Sequence, residues 1–277
     1  GFNYYFASSY DLLFNSNISS VYGSGIYYDN VGEINNSGIE LSLRVNPIHN
    51  RDWDFVAGVT LATNKSTLKD LGGAEKSVIS FTGYGNDDAQ VVMQVGSNPY
   101  EFYGYKTAGV YATTEQAQAA GLTNAAGISY QAGDVIFVDQ NNDGVINDAD
   151  KTAIGCASPD VFGAFNLALR YRQFTLDANF GYSIGNAAYN YTRRLLEAQS
   201  AFYNQSTSVL NRWQVEGQVT DMPRANDGDN IGNNSFSDRW IEDASYFKLR
   251  SLKFSYNFGK IFGFVNSGNV WVAAENL

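Results

Sequence analysis

The chain has 277 residues, of which 44% are hydrophobic and 15% aromatic, and its formal net charge is −10. The acidic balance argues against a nucleic-acid-binding surface, and the single histidine, His49, rules out His-cluster metal sites. The single cysteine, Cys156, excludes an intrachain disulfide framework, and no run of about 18 apolar residues predicts a transmembrane helix. The abundance of Tyr and Phe favours strands.

Seven segments alternate apolar and polar residues, which is the pattern of a strand with one apolar and one polar face. In the clearest case, Ile39, Leu41 and Leu43 interleave with Glu40 and Ser42. The predicted strands are 2–13, 37–46, 52–66, 160–171, 174–185, 244–258 and 268–277.

The connections between these strands alternate in length. If consecutive strands are antiparallel neighbours, the short turns all fall at one end of the sheet and the long segments at the other, as in outer-membrane barrels. We therefore predict an all-β fold for residues 1–277: part of an antiparallel transmembrane β-barrel, with 67–159 and 186–243 as long, partly helical extracellular loops. The short turns are 47–51, 172–173 and 259–267, and the long segments are 14–36, 67–159 and 186–243.

The placement of charged and aromatic residues favours a membrane wall over a soluble sandwich. Arg170 and Asp177 share a face with the polar residues of their strands, which suits a hydrated lumen better than a dry core. Aromatic residues gather beside the short turns, where amphipathic rings would lie at headgroup depth. These residues are Trp53, Tyr171, Phe174, Tyr256 and Phe258.

The strand 244–258 changes phase in its middle. Phe247 and Leu249 have one parity, whereas Leu252 and Phe254 have the other. A β-bulge near Arg250-Ser251 would bring both sets to one face.

Three segments within the long loops have helical patterns. Residues 114–121 predict a short capped helix that ends at Gly121, and 191–202 and 206–213 also look helical.

An acidic loop between Asp139 and Asp150 carries the sharpest local motif. Oxygen ligands at loop positions 1, 3 and 5, a glycine at position 6 and a backbone carbonyl at position 7 suit Ca²⁺. Position 12 is an aspartate where an EF-hand has a bidentate glutamate, so the loop resembles a calcium loop without being an EF-hand. The alternative is a polar turn held by local side-chain hydrogen bonds. The predicted ligands are Asp139, Asn141, Asp143, the carbonyl of Val145 and Asp150.

The sequence contains no strong catalytic signal, so we predict that the protein is not an enzyme. It has no phosphate-binding loop, no dinucleotide fingerprint and no nucleophile elbow. The adjacent carboxylates Glu242 and Asp243 could in principle act as a glycosidase pair, but solvated loop charge explains them more simply.

A series of motifs along nearly the whole chain resembles the C-terminal barrel half of SusC/RagA-type TonB-dependent transporters of Bacteroidetes. The order and spacing of the motifs make the resemblance specific. They are the stretches 35–40 (NNSGIE), 104–111 (GYKTAGVY), 133–139 (GDVIFVD), 154–159, 212–217, 239–256 (RWIEDASYFKLRSLKFSY) and 274–277 (AENL).

The resemblance implies an outer-membrane barrel of about 22 strands, of which this chain supplies part. It also implies an N-terminal plug that contacts TonB, a SusD-like surface lipoprotein as a lid, contact with membrane lipid, and oligosaccharide or peptide substrates. Neither a plug nor a signal peptide is recognisable here, so we expect this sequence to be a piece of a longer polypeptide.

Two alternatives remain open at this stage. A soluble or surface-attached β-sandwich that binds glycans would show the same alternation, because two inner faces would pack together. A simple diffusion porin would lack a plug. The sequence does not identify substrate contacts, although aromatic residues of the long loops are candidates, namely Tyr103, Tyr105, Tyr189 and Trp213.

Overall fold

A computed structural model describes residues 1–17, 26–80, 88–99, 101–260 and 266–277. The chain forms two compact units, which we call the sheet unit and the loop unit. The sheet unit consists of Gly1–Gly73, Ser158–Asn186 and Ala244–Leu277. The loop unit consists of Ala74–Ala157 and Ala187–Asp243.

The strands are numbered in chain order. They are β1 Phe2–Asn17, β2 Ile26–His49, β3 Trp53–Ala62, β4 Lys65–Leu71, β5 Lys76–Ser80, β6 Gln90–Gln94, β7 Glu101–Gly104, β8 Thr107–Val110, β9 Thr123–Asn124, β10 Val135–Phe137, β11 Val145–Ile146, β12 Thr152–Cys156, β13 Val161–Tyr171, β14 Phe174–Ile184, β15 Ala187–Tyr189, β16 Ile241–Asp243, β17 Tyr246–Phe258 and β18 Gly268–Glu275.

The helices among the described residues lie in the loop unit. They are α1 Thr114–Ala120, α2 Tyr191–Glu197, and short 3₁₀ turns at Asp148–Asp150, Thr207–Asn211, Asp227–Asp229 and Asp238–Trp240. The predicted helix at 114–121 is confirmed, since Thr113 caps its start and Gly121 ends it at φ 64°. The helix predicted over 191–202 is shorter than expected, and 206–213 forms a 3₁₀ turn.

The sheet unit is one antiparallel sheet in the order β1-β2-β3-β13-β14-β17-β18, with β4 also paired to β2. The register of the strand pairs places apolar side chains on one face across the whole sheet. Leu43 pairs with Val59, Val59 with Phe165, and Phe165 with Phe180. The opposite face is polar, as in the row Gly58–Asn166–Asn179–Ser251. Both faces are therefore those that the alternation predicts.

The apolar face is not the inside of a sandwich. Leu41 and Leu176 remain 42% and 39% exposed, and Val59 and Leu167 are partly exposed. A sandwich would bury all four residues between two sheets. The sandwich alternative is therefore wrong for this sheet.

The prediction of a long loop at 14–36 is wrong for every part of it that the structure describes. Strand β1 runs on to Asn17 and β2 begins at Ile26, and the two pair along this length. Residues 18–25 lie outside the described residues.

The predicted strand 52–66 is divided by Thr63 and Asn64 into β3 and β4, which pair with successive parts of β2. Strand pairing thus extends the sheet through a stretch rich in Asn, which has low strand propensity.

The short connections lie at one end of the sheet, as predicted. Arg172, in the turn 172–173, donates from Nε to Asp52 Oδ1 of the neighbouring turn at 3.0 Å. The predicted aromatic row is also present: the rings of Trp53 and Tyr171 are 4.3 Å apart, and those of Phe174 and Tyr256 are 4.9 Å apart. The third turn includes residues 261–265, which lie outside the described residues.

The predicted bulge is confirmed at Arg250. Asn179 pairs with Ser251, whereas the next residue, Phe180, pairs with Leu249, so Arg250 is the extra residue. The bulge returns the apolar residues of β17 to a single face.

A tyrosine packs on a glycine at two cross-strand pairs of the sheet. Tyr5 lies opposite Gly38 and its hydroxyl donates to Asn64 Oδ1 at 2.9 Å. Tyr182 lies opposite Gly163 and donates to the Thr60 carbonyl at 2.9 Å. Each tyrosine ring covers the backbone of the opposing glycine. A larger residue in place of that glycine would push the ring away.

We expect Gly38→Ala to destabilise the folded protein by about 1–3 kcal/mol, the usual cost of overpacking. The added Cβ would lie 2.1 Å from the Thr63 carbonyl oxygen and 2.5 Å from the Tyr5 hydroxyl. The midpoint of urea unfolding measures the effect. Gly259→Ala is the matched control, because nothing lies within 4 Å of its Cβ. Equal midpoints for the two variants would contradict the proposed packing.

The loop unit has its own hydrophobic cores. A four-stranded sheet in the order β12-β7-β6-β5 contributes Val91 and Phe102 to one of them, beside Phe236. The other core gathers around Val135 and Phe137, with Ile231 from a distant part of the chain. Most of the two predicted long loops, 67–159 and 186–243, therefore belongs to the loop unit, whereas residues 67–73, 158–159 and 186 belong to the sheet unit.

No helix among the described residues is long and apolar enough to cross a membrane.

Candidate functional site

The polar face of the sheet unit is the first candidate surface. It lines a concave region of about 900 Å³ that includes Asn3, Glu40, Thr60, Tyr246 and Arg250. Hydrogen bonds between side chains of adjacent strands follow the same face, for example from Asn179 Nδ2 to Ser251 Oγ at 2.9 Å. A continuous polar, concave face can bind water and polar solutes, whereas the apolar face cannot.

Charged residues near the short-turn end of this face are neutralised locally. Asp54 accepts from Asn46 Nδ2 at 3.0 Å and lies 2.9 Å from His49 Nδ1. Arg170, directly across the strand pair, approaches Asp54 at 3.9 Å. The predicted lumenal charge at Arg170 therefore has a partner on the same face.

The acidic loop is held together by its own backbone. Asp139 accepts from the amides of Asn142 and Gly144 at 2.7 and 2.8 Å, and these bonds, that from Gly144 first, lower the pKa of Asp139. Asn141 Oδ1 accepts from the Asp143 amide at 2.9 Å, and Asp143 Oδ1 from the Val145 amide at 2.8 Å. Asp139, Asn141 and Asp143 thus each accept hydrogen bonds from backbone amides of the loop, as in the polar-turn alternative.

Two predicted ligands serve other contacts. The Val145 carbonyl accepts from Asn147 Nδ2 at 3.1 Å. Asp150, which is fully buried, accepts from the amides of Gln140 and Asn147 at 2.9 and 2.8 Å. In the described part of the chain, no three Asp, Glu, His or Cys side chains are placed to share a metal ion. Calcium binding stays a prediction.

We expect millimolar Ca²⁺ to slow amide exchange at residues 140–147 of the protein relative to EDTA, since an ion would tie Asp139, Asn141 and Asp143 together. Hydrogen–deuterium exchange mass spectrometry measures the difference. Asp143→Asn should reduce the protection, and Mg²⁺ controls for ionic strength. Identical exchange in Ca²⁺ and EDTA would remove calcium and leave the polar turn as the explanation.

The aromatic residues considered as substrate contacts are mostly loop core. The Tyr103 hydroxyl accepts from Lys76 Nζ at 3.1 Å, and Tyr105 packs edge-on against Phe137. Burial raises the pKa of Tyr105 to about 12. The remaining two are engaged as well: the Tyr189 ring stands edge-on against Phe236, and Trp213 Nε1 donates to the Ala112 carbonyl at 3.0 Å.

The suggested carboxylate pair is not arranged for proton transfer. Glu242 accepts from Asn190 Nδ2 and Arg193 Nη1, both at 3.0 Å. These two hydrogen bonds, that from Asn190 first, lower the pKa of Glu242 and keep it ionised. A general acid needs the opposite shift.

An ion pair that sequence reasoning missed, with a buried carboxylate and a partly exposed arginine, joins two segments of the loop unit. Asp134, fully buried, accepts from Arg224 Nε at 2.7 Å and Nη2 at 3.2 Å. It also accepts from Asn233 Nδ2 at 3.1 Å and the Gln131 amide at 2.8 Å. The pair joins segments 90 residues apart, so no local pattern could reveal it.

Comparison with known sequences gives clear relatives, although no family model matches. The chain is 30% identical over 280 residues to TonB-dependent receptor P3 of Formosa agariphila, covering 100% of this chain and 27% of that protein. It is 25% identical over 239 residues to TonB-dependent receptor SusC of Bacteroides thetaiotaomicron, covering 83% of this chain and 21% of SusC. The chain spans about a quarter of the length of these relatives.

Solved structures give the same result for the fold. The RagAB peptide transporter matches with a TM-score of 0.77 at 23% identity, over 99% of this chain and 29% of that one. The RagAB peptide importer in its open-open state matches with a TM-score of 0.79 at 23% identity, over 100% and 28%. The prediction of a partial antiparallel barrel wall is confirmed.

Proposed function

Because this chain is a segment of an outer-membrane TonB-dependent receptor of the SusC/RagA type, we propose that the whole receptor actively imports oligosaccharides or peptides. The observation that carries the proposal is the two-faced sheet. Its apolar face is continuous and exposed, which suits contact with lipid, and its polar face is concave, which suits a hydrated lumen.

The loop unit supplies substrate selection and a docking surface for a SusD-like lipoprotein in this proposal. Its ordered cores support such a role, since a binding surface needs a rigid scaffold beneath it. The similar solved structures are of a peptide transporter and importer, one of them in an open-open state. In this proposal the loop unit lies outside the cell, where the SusD-like lid closes over it.

The remaining parts of the machinery belong to the rest of the receptor. A plug in the lumen would contact the TonB complex, and the proton-motive force would drive uptake. The sheet unit contributes the wall along which substrate passes.

Uptake of labelled oligosaccharides and peptides by intact cells tests the proposal. Deleting the receptor gene is expected to abolish uptake of its substrate, and so are deletion of TonB or a protonophore, because transport is active. Removing the SusD-like partner should raise the substrate concentration that uptake requires. Uptake that needs the receptor but survives both TonB loss and the protonophore would instead support the diffusion-porin alternative.

A further inference from the structure

Three side chains of β17 form a cationic and aromatic cluster on the polar face of the sheet unit. The Arg250 guanidinium donates from Nη2 to the Tyr246 hydroxyl at 3.2 Å. Lys248 Nζ lies 5.0 Å from the centre of the Tyr246 ring. Tyr246 is 37% exposed and lies on the polar face opposite Ser183.

The backbone is shaped to place Arg250 in this cluster. Arg250 is the extra residue of the bulge in β17, and bulges re-aim side chains beside functional sites. Gly181 on β14 lies beneath it, and a Cβ there would come within 2.4 Å of Arg250 Nε. Glycine therefore leaves the space in which the arginine lies along the sheet.

The two cations of the cluster have no anionic partner among the described residues: neither Lys248 nor Arg250 forms an ion pair. Elsewhere in the same unit, Arg172 pairs with Asp52 at 3.0 Å. The chain carries 28 acidic residues against 18 basic ones, so unpaired cations are not a consequence of composition. They give this part of the lumen wall a local positive charge.

The surroundings have room for a ligand. Tyr246 and Arg250 line the concave region of about 900 Å³, together with the partly exposed ring of Phe162. Glu40 lines the same region and brings one negative charge to it. Its carboxylate accepts a hydrogen bond from Asn3 Nδ2 at 3.2 Å. A volume of this size holds a few sugar or amino-acid residues.

We propose that Tyr246, Lys248 and Arg250 bind a carboxylate group of the imported substrate. Arginine matches a carboxylate with two parallel hydrogen bonds, lysine adds a point charge, and the tyrosine ring offers a surface for the adjoining residue. The proposal rests on the import function and narrows it to acidic oligosaccharides or acidic peptides.

Calorimetry on the purified full-length receptor tests the proposal with two acidic probes, trigalacturonate and triglutamate. Maltotriose and trialanine are their neutral counterparts. We expect at least one acidic probe to bind about tenfold or more tightly than its neutral counterpart, and added salt to weaken it. The double variant Lys248→Gln/Arg250→Gln should lose that advantage, Arg250→Lys should keep part of it, and Arg44→Gln, on the same face of β2, should keep all of it.

The probe that binds identifies the source of the carboxylate, saccharide or peptide. Three outcomes would overturn the proposal: no binding of either acidic probe, equal binding of acidic and neutral probes, or unchanged acidic binding in the double variant. A lower unfolding temperature of the ligand-free double variant with unchanged affinity would show that the cations pair with another part of the receptor. Uptake by intact cells that persists without the receptor would count against the import function itself, and the binding measurements give their result independently of that test.

Discussion

Replacing Asp134 by alanine is expected to destabilise the loop unit by about 1.5–3 kcal/mol, because the change removes a buried carboxylate that accepts charge-assisted hydrogen bonds and leaves its donors without their acceptor. Asp134 is fully buried and holds Arg224 through two hydrogen bonds, of 2.7 and 3.2 Å. Hydrogen–deuterium exchange at residues 131–137 of the full-length receptor measures the loss as faster exchange. The sheet unit should keep its protection.

The control for this variant is Asp221→Ala in the same unit. Asp221 is exposed, and a surface substitution of this kind is expected to change stability by less than about 0.5 kcal/mol. The double variant Asp134→Ala/Arg224→Ala should lose less than the sum of the single losses, since the two groups interact directly. Additive losses, or unchanged exchange in Asp134→Ala, would show that the pair does not anchor the unit.

Replacing Leu167 by arginine is expected to cost about 2–4 kcal/mol in the folded barrel, the range for a cation near the middle of a lipid-facing strand. Leu167 lies midway along β13, between Ala57 and Ala178 of the neighbouring strands, on the apolar face. Less receptor should reach the outer membrane, and the urea midpoint of the purified protein should fall.

The adjacent residue gives a matched test of the two faces. Asn166→Arg places the same side chain on the polar face, opposite Gly58 and Asn179, where it stays hydrated. We expect its membrane yield and unfolding midpoint to stay near those of the unchanged receptor. If Asn166→Arg were the more damaging variant, the assignment of lipid and lumen faces would be reversed.

The sequence by itself determined the wall of the barrel. A side-chain period of two assigns the apolar and polar faces, because successive residues of a strand point to opposite sides. The same pattern revealed the bulge at Arg250, where the parity changes, and the short turns with their aromatic residues. The capped helix at Thr114–Ala120 follows equally from local chemistry.

Only the tertiary structure decided the rest. The strands through Asn17 and from Ile26 exist because each pairs with the other, although their Asn residues have little strand propensity. The loop unit depends on contacts such as Asp134 with Arg224, which join distant segments. The physical reason is that periodicity records the environment of neighbouring residues, whereas strand pairing, ion pairs and shared cores depend on which remote segments meet.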